Sequence, residues 1–238
     1  MIIIDFSTMT KEGILLQGIV TKWTKDIIIE YQKNFPNAEI ILSTWVDQNV
    51  QDLPCKVIQS DLPKTTATHS STINHQIIGA REGLKKLNCD IILKSKSDLF
   101  IHNEKIFELF EKTCSPEKIM IPTEGFDLSN HAYYVSDICQ VAKTQVLNNF
   151  WNKMPLYDGS YPTSNEQYLA KNYILKIQDD DSDWSITQKK YFCQKGFDED
   201  FQAEFEKFIF ENSYQKSRKK LRDSNKELSY EQYIELID

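Results

Sequence analysis

The sequence predicts an α/β fold, a mostly parallel sheet with helices on its faces and a helical appendage at the C-terminus. Three observations lead there. Short apolar, β-branched runs alternate with amphipathic stretches through the N-terminal half, as strands alternate with helices in a layered α/β domain. The polar residues that close those runs, Gln17-Gly18, Thr44-Trp45 and Asp98, fall where such sheets bind ligands, beyond the carboxyl ends of the strands. From residue 197 the chain becomes strongly charged and reads as helical. The expected division is therefore a domain over 1–196 and a tail over 197–238.

The first strand is Ile14–Gly18, an apolar run ended by Gln17-Gly18. Trp23, Ile27, Tyr31 and Phe35 recur at helical spacing, and Pro36-Asn37 stops that helix. Ile40–Trp45 is a second, β-branched strand, and Lys56–Ile58 a shorter third. Ser70–Leu87 reads as a helix with the buried stripe Ile73, Ile77, Ala80, Leu84 and Leu87. Gly79 and Gly83 weaken it intrinsically, which points to close packing at those positions. Ile91–Lys94 is the fourth strand and runs into Ser95-Lys96-Ser97-Asp98. Further on, Lys118–Ile121 reads as a strand, 123–134 as a loop, Thr144–Trp151 as a helix, Met154–Pro162 as a loop and Thr163–Ile174 as a helix.

Composition narrows the function. A formal net charge of −7 argues against nucleic acid as a partner. The cysteines, Cys55, Cys89, Cys114, Cys139 and Cys193, are odd in number and form no C-x-x-C pair, so reduced thiols in a cytoplasmic protein are expected. The opening Met1-Ile2-Ile3-Ile4-Asp5 lacks the basic region of a signal peptide. No apolar run approaches the roughly 20 residues of a spanning helix, so any membrane contact would be peripheral. P-loop, G-x-G-x-x-G, H-E-x-x-H and G-x-S-x-G motifs are absent. With seven glycines in all, phosphate would be met by basic side chains or a metal rather than by a glycine cradle.

Several residues carry candidate chemistry. Asp98, at a strand end, can hold a divalent cation that neutralises a diphosphate; it can equally cap the following turn. Lys96 adds positive charge beside it. Asn74 and Arg81 lie seven residues apart, on one flank of a helix, and Arg suits phosphate; a solvated face is the alternative. Thr163-Ser164-Asn165-Glu166 reads as a capping box with Thr163 as N-cap. Glu166 also aligns with Leu169, Ala170 and Tyr173, so its carboxylate can point inward and accept a proton. Asp179–Asp183 reads as a solvated acidic loop with a metal site as the lesser alternative, and His131 as an optional late ligand.

Taken together, several blocks resemble the WavE-type lipopolysaccharide-synthesis proteins, which are taken to be GT-A-fold glycosyltransferases. The blocks are Ile14–Val20, Asn34–Trp45, Asn74–Ile77 with Arg81–Leu84, Leu93–Asp98, Ser136-Asp137 and Asn165–Leu169. The resemblance runs from Gly13 to Ile174. Lys96 stands where the family more often has Arg, Asn165 where Pro is expected, and Lys96 also occupies the place of the first acid of an Asp-x-Asp pair. The resemblance implies a Rossmann-type GT-A-like sheet, a nucleotide-sugar donor, a divalent cation (Mn²⁺ or Mg²⁺) and a saccharide or lipid-linked saccharide acceptor of a growing lipopolysaccharide or capsule. It implies that Gln17, Gly18 and Thr44 line the nucleotide pocket with Lys96, that Asn74 and Arg81 contact base or diphosphate, and that Asp98 holds the metal. Asp137 and Glu166 would face the acceptor, Glu166 as the base.

Two other functions fit the same fold class: a sugar nucleotidyltransferase, though Gly18–Lys22 is not the glycine-rich basic loop such enzymes carry, and a non-catalytic nucleotide-binding module of a polysaccharide-assembly complex. In the tail, Lys216, Arg218, Lys219, Lys220 and Arg222 form a basic cluster, with Phe201, Phe205 and Phe208 at helical spacing upstream. The cluster suits contact with the anionic inner face of a membrane; a solvated helix paired with nearby acids is the alternative.

Overall fold

The computed structural model describes residues 10–64, 71–123, 126–127, 132–205 and 228–229. The elements run β1 (Glu12–Gln17), α1 (Thr24–Asn34), β2 (Glu39–Trp45), β3 (Lys56–Ser60), α2 (Ile73–Leu84), β4 (Ile91–Lys96), β5 (Leu99–Ile101), α3 (Ile106–Thr113), β6 (Ile119–Thr123), β7 (Phe126–Asp127), β8 (Cys139–Lys143), α4 (Thr144–Lys153), α5 (Asn165–Asn172) with a π-helical turn at Tyr173–Ile177, α6 (Trp184–Tyr191), β9 (Phe192–Gly196), β10 (Ala203–Phe205) and β11 (Leu228–Ser229).

Seven strands form one sheet in the order β3-β2-β1-β4-β8-β6-β9. β1 pairs in parallel with β2 and β4, β2 with β3, and β6 with β9. β8 alone runs antiparallel, wedged between β4 and β6. The mostly parallel sheet flanked by helices is thus present. The antiparallel strand was not read from the sequence: Cys139-Gln140-Val141-Ala142-Lys143 has one β-branched residue and a central glutamine. Gln140 is nonetheless buried, and its Oε1 accepts from Trp151 Nε1 at 2.8 Å. A satisfied polar side chain occupies a place that a periodicity reading reserves for an apolar one.

Period-two alternation divides the core between the two faces. Ile14, Leu16, Leu42 and Leu93 join Ile27, Ile28 and Tyr31 of α1 and Phe107 and Phe110 of α3. Leu15, Ile41 and Ile92 face the other way, onto Ile73, Ile77, Ala80 and Leu84 of α2 and Phe150 and Trp151 of α4. The stripe expected on α2 is therefore the buried one, although the described helix begins at Ile73 and Leu87 lies beyond its end.

The helical tail is a correction where it can be seen. Residues 197–205 form a turn and strand β10, which pairs antiparallel with β5. Asp200 Oδ2 accepts from Gly196 N at 2.7 Å, and Asp200 N and Phe201 N return to Gly196 O. Phe201 and Ala203 enter the α1/α3 core. Burying a phenylalanine is worth about 1.5–3 kcal/mol, more than a short exposed helical turn offers. The described tail so belongs to the domain that was expected to end at 196. The basic cluster Lys216–Arg222 and Phe208 lie outside the described residues. Among the described residues no helix is long and apolar enough to cross a membrane.

The two α2 glycines do admit a close approach. A Cβ on Gly83 would stand 2.2 Å from Leu15 Cδ1, and one on Gly79 2.8 Å from Gln17 Cγ. Helix propensity alone favours Ala over Gly by about 1 kcal/mol. Leu15 is fully buried, so overpacking should win: Gly83→Ala is expected to destabilise the protein by about 1–3 kcal/mol. Urea-unfolding midpoints of the two proteins check this; a raised midpoint would show that the contact yields.

Candidate active site

The carboxyl ends of β1, β2 and β4 and the start of β8 meet at one edge of the sheet, because β8 runs opposite to β4. Asp137, two residues before β8, is the centre of that edge. Its side chain is 1% exposed, and Oδ1 lies 3.0 Å from Lys96 Nζ at the end of β4. Gln76 Nε2 of α2 donates to Oδ2, and Lys94 Nζ donates to the backbone carbonyl of Asp137 at 3.3 Å. Burial alone would push the Asp137 carboxyl up, but Lys96 and Lys94, with the hydrogen bonds from Gln76 and Lys96, hold it below the usual carboxylate range. Lys96 moves the opposite way: burial would lower it, and Asp137 outweighs that, with Glu166 and Asp98 adding to the rise.

Lys94 is fully buried. Its ammonium sits 4.8 Å from the centroid of the Trp151 ring, a cation–π contact. Burial brings its pKa down to about 8, against the opposing pull of Asp137.

Glu166 faces this cluster from the first turn of α5. Burial, then the negative charge of Asp137, raises its carboxyl above the ordinary range. The expected capping box is shifted by one residue. Ser164 rather than Thr163 is the N-cap, and its Oγ accepts from Gln167 N at 3.2 Å. Asn165 Nδ2 meanwhile reaches Thr72 Oγ1 at 3.1 Å, fastening the helix start to the N-terminus of α2. Glu166, two residues after the cap, is not its reciprocal partner; its carboxylate bonds the Ser164 side chain and feels the charges of Asp137 and Lys96. A carboxylate with a raised pKa in such a place has the character of a general base. Asp137, expected to face the acceptor, is instead sealed beneath the surface.

At the ends of β1 and β2 and in the first turn of α2, four buried polar atoms have no protein partner: Gln17 Oε1, Thr44 Oγ1, His75 Nδ1 and Gln76 Oε1. Gln17 and Thr44 end β1 and β2; His75 and Gln76 open α2. Buried polar groups are nearly always satisfied; Gln17, His75 and Gln76 share the α2 face of the sheet, whereas Thr44, two residues after Leu42, points to the α1 face. Burial lowers the pKa of His75 and keeps it neutral, so its ring can accept as well as donate. Gly18 completes the edge with φ +142, and a Cβ there would meet Ser97 Oγ at 2.5 Å. The backbone there lies flat against the β4–β5 turn.

Asp98 sits in that turn, half-buried. Among the described residues no group of three or more His, Cys, Asp and Glu side chains gathers as a metal cage. Mg²⁺ is often held by only one or two carboxylates plus substrate phosphates, and Asp98 fits that role alone. Asp179–Asp183 makes no such group either: Asp180 is tied to Lys190 Nζ and Tyr191 hydroxyl, each at 2.7 Å. His131 lies outside the described residues.

Asn74 and Arg81 do share a flank of α2, but the structure gives them other partners. Arg81 Nε donates to Trp151 O at 2.9 Å and Nη2 to Met154 O. Asn74 Nδ2 donates to Tyr157 O at 2.9 Å, and its Oδ1 accepts from Tyr157 N at 2.8 Å. Both hold segment 151–157 against α2. The sequence reading missed Lys94, His75 and Gln76 as site residues. Signals existed: Lys94 stands inside an apolar strand, and Gln76 falls on the inward stripe of α2 between Ile73 and Ala80.

The profile of a family described as WavE lipopolysaccharide synthesis matches residues 20–177. No curated protein matches the chain. Among solved structures, glucosyl-3-phosphoglycerate synthase from Mycobacterium tuberculosis, in complex with Mn²⁺, UDP and phosphoglyceric acid, is similar at 10% identity over 78% of this chain and 68% of that one, TM-score 0.48. TarS of S. aureus is similar at 12% identity over 67% of this chain, TM-score 0.45; the chain spans about a third (32%) of its length. A 4-diphosphocytidyl-2C-methyl-D-erythritol synthase from Anaerococcus prevotii is similar at 13% identity over 87% of this chain and 97% of that one, TM-score 0.45. At these levels the likenesses fix neither donor nor acceptor.

The buried lysine has a measurable signature. A folded-state pKa of about 8 against 10.5 unfolded means that the unfolded chain binds more protons between those values, so this group makes stability rise with pH there. Lys94→Met removes that contribution. The stability of wild type relative to the variant should therefore grow by about 3 kcal/mol between pH 8 and 10.5. Urea unfolding of both proteins across that range tests it; a pH-independent difference would place the ammonium in contact with water.

Proposed function

Since the chain belongs to the WavE lipopolysaccharide synthesis family, we propose that it is a GT-A-type glycosyltransferase that moves a sugar from a nucleotide-sugar donor to a growing surface polysaccharide. The observation that carries this reading is the pairing of two features at one sheet edge: orphaned buried polar atoms of Gln17, His75 and Gln76 on the α2 face, and beside them the Lys96–Asp137 ion pair overlooked by Glu166. The first suits a nucleoside, which offers hydroxyl and ring donors. The second suits chemistry on a diphosphate ester.

In this scheme the donor lies across the ends of β1, β2 and β4, with Gly18 allowing close approach of its backbone. Glu166 takes the proton of the acceptor hydroxyl as that oxygen attacks the anomeric carbon, with inversion. Lys96 offers positive charge toward the departing diphosphate. A divalent cation, when bound, would neutralise the same charge, and Asp98 is the residue that would hold it. Asp137 acts from below, fixing Lys96 and raising the pKa of Glu166. The acceptor is a saccharide or lipid-linked saccharide, and the reaction belongs at the cytoplasmic face of the membrane.

Incubation of the purified protein with UDP-, GDP- and CMP-linked radiolabelled sugars and a saccharide acceptor tests the reading, with and without Mn²⁺ or Mg²⁺. Label appearing in the acceptor supports it. Synthesis of the nucleotide-sugar itself from a sugar phosphate would assign a nucleotidyltransferase instead, and tight nucleotide binding without turnover a binding module.

Two substitutions separate the roles. Glu166→Gln leaves the Ser164 cap intact and should lower kcat by about 10²–10⁴-fold with an unchanged melting temperature; a wild-type kcat would leave Glu166 a structural residue. Asp98→Asn should lower metal-stimulated transfer by roughly two orders of magnitude and raise the metal concentration needed for half-activity. An unchanged metal requirement would remove Asp98 from the cation site.

A further inference from the structure

A second surface lies along α4. A groove of about 830 Å³ opens there, its lining mainly apolar, Val146 and Tyr173 included, with the amides of Gln145, Asn148, Asn149 and Asn152 of α4 set into it. That volume lies within the ~300–1,000 Å³ range of ligand clefts. β8 leaves the Asp137 edge at Cys139 and reaches the groove at Lys143, a strand length of roughly 14 Å.

The chemistry of the lining is unusual for a solvated helix face. Residues 145, 148, 149 and 152 follow i, i+3, i+4, i+7 spacing, so one stripe of α4 consists of amides. Exposed helix faces are commonly charged, and asparagine lowers helix stability relative to alanine, so three asparagines on one face are retained against the helix's own preference. Asn152 Nδ2 bonds Asn148 Oδ1 at 3.3 Å, which places the amides within reach of one another. Each amide offers a donor and an acceptor, the pairing that a sugar hydroxyl, itself donor and acceptor, can meet on both counts. α4 also has direction. It runs along the groove and ends at Lys153, from which the chain passes to Met154 and Tyr157, held by Arg81 and Asn74 of α2 beside His75. The amide stripe is a track of roughly 15 Å along the groove, its C-terminal end next to the segment that α2 holds.

We propose that the amide face of α4 is a second carbohydrate-binding site, which holds the already-built part of the saccharide chain while its end is extended at the Glu166 edge. The ligand class, a hydroxyl-rich oligosaccharide, rests on the glycosyltransferase reading; the site itself does not require catalysis.

The test uses the full ¹⁵N-labelled chain, whose side-chain amide groups are observed directly by NMR, titrated with core oligosaccharide released from lipopolysaccharide by mild acid and with glucose as a control. Saturable shifts are expected for the amides of Asn148, Asn149 and Asn152 with the oligosaccharide and not with glucose. Gln145→Ala/Asn148→Ala/Asn149→Ala, which favours the helix, should weaken that binding at least ten-fold, and Asn149→Ala alone should weaken it to a lesser degree. In transfer assays the triple variant should give shorter products while its rate on a short acceptor stays within two-fold of wild type. Absence of shifts at α4, or unchanged affinity in the triple variant, overturns the proposal even if sugar transfer is found. Binding at α4 in a protein that transfers no sugar from any donor would sink the glycosyltransferase reading and leave the saccharide site standing.

Discussion

The organisation of the candidate site depends on one buried negative charge. Asp137 has almost no contact with solvent, and burial by itself disfavours its ionised form. It stays ionised because Lys96, Lys94 and Gln76 reach it from two other elements, β4 and α2. A buried pair of this kind adds little to net stability, but removing one partner costs about 3–5 kcal/mol. The three contacts therefore act as a specification: the end of β4, the start of β8 and the start of α2 keep their relative places or leave a charge stranded. Reversal of β8 within an otherwise parallel sheet is what brings its first residues to this edge.

The same edge requires α2 to lie unusually close to β1. Gly83 lets Leu15 pack beneath the helix, and Gly79 leaves room for the Gln17 side chain. Gln17 Nε2 then donates to His75 O at 3.1 Å, and Ser43 Oγ donates to Gly79 O at 2.7 Å. Each of these bonds fixes the orientation of a polar side chain. Gln17 Oε1, the opposite end of its amide, remains orphaned, as does Oε1 of Gln76, whose Nε2 bonds Asp137. Preorganisation of this sort lowers the entropy lost when a ligand is ordered. The cost in helix propensity and in unsatisfied buried atoms is concentrated at the site and not spread through the core, as expected where local rules are broken for function.

Much of the frame was legible because its signals are local. Ile14-Leu15-Leu16, Ile40–Trp45 and Ile91–Lys94 are apolar runs of strand length, and the α2 stripe has helical spacing; all four occupy the expected places. The two glycines of α2 also carried their meaning on the surface. What escaped depends on tertiary partners. Gln140 looks polar in sequence and is buried because Trp151 donates to it. Arg81 looks like a phosphate ligand and instead meets the carbonyls of Trp151 and Met154, seventy residues away in the chain. The Thr163 cap was misplaced by one position, since Thr163 and Ser164 offer equivalent hydroxyls and backbone geometry decides between them. The turn at Gly196–Asp200 was read as helix because Phe201 fits a helical spacing, and its burial against the α1/α3 core leaves no trace in that spacing.

Asp137 and Glu166 show how one buried carboxylate sets the electrostatics of another. After burial, Asp137 is the first cause of the raised Glu166 pKa, while Lys96 pulls the other way. Lys96 is in turn held by Asp137, so its positive charge is partly spent on the buried acid rather than on Glu166. A lysine two residues before Asp98, where a second acid would otherwise stand, thus has a reason internal to the site. It compensates Asp137 from above and presents its remaining field toward the surface; in the proposed mechanism it stands between Asp98, the cation's residue, and Glu166, the base. Two carboxylates with different duties need different environments. Here the difference lies in the neighbours: burial and the charge of Asp137 act on Glu166, whereas Asp98 stands in the half-buried β4–β5 turn.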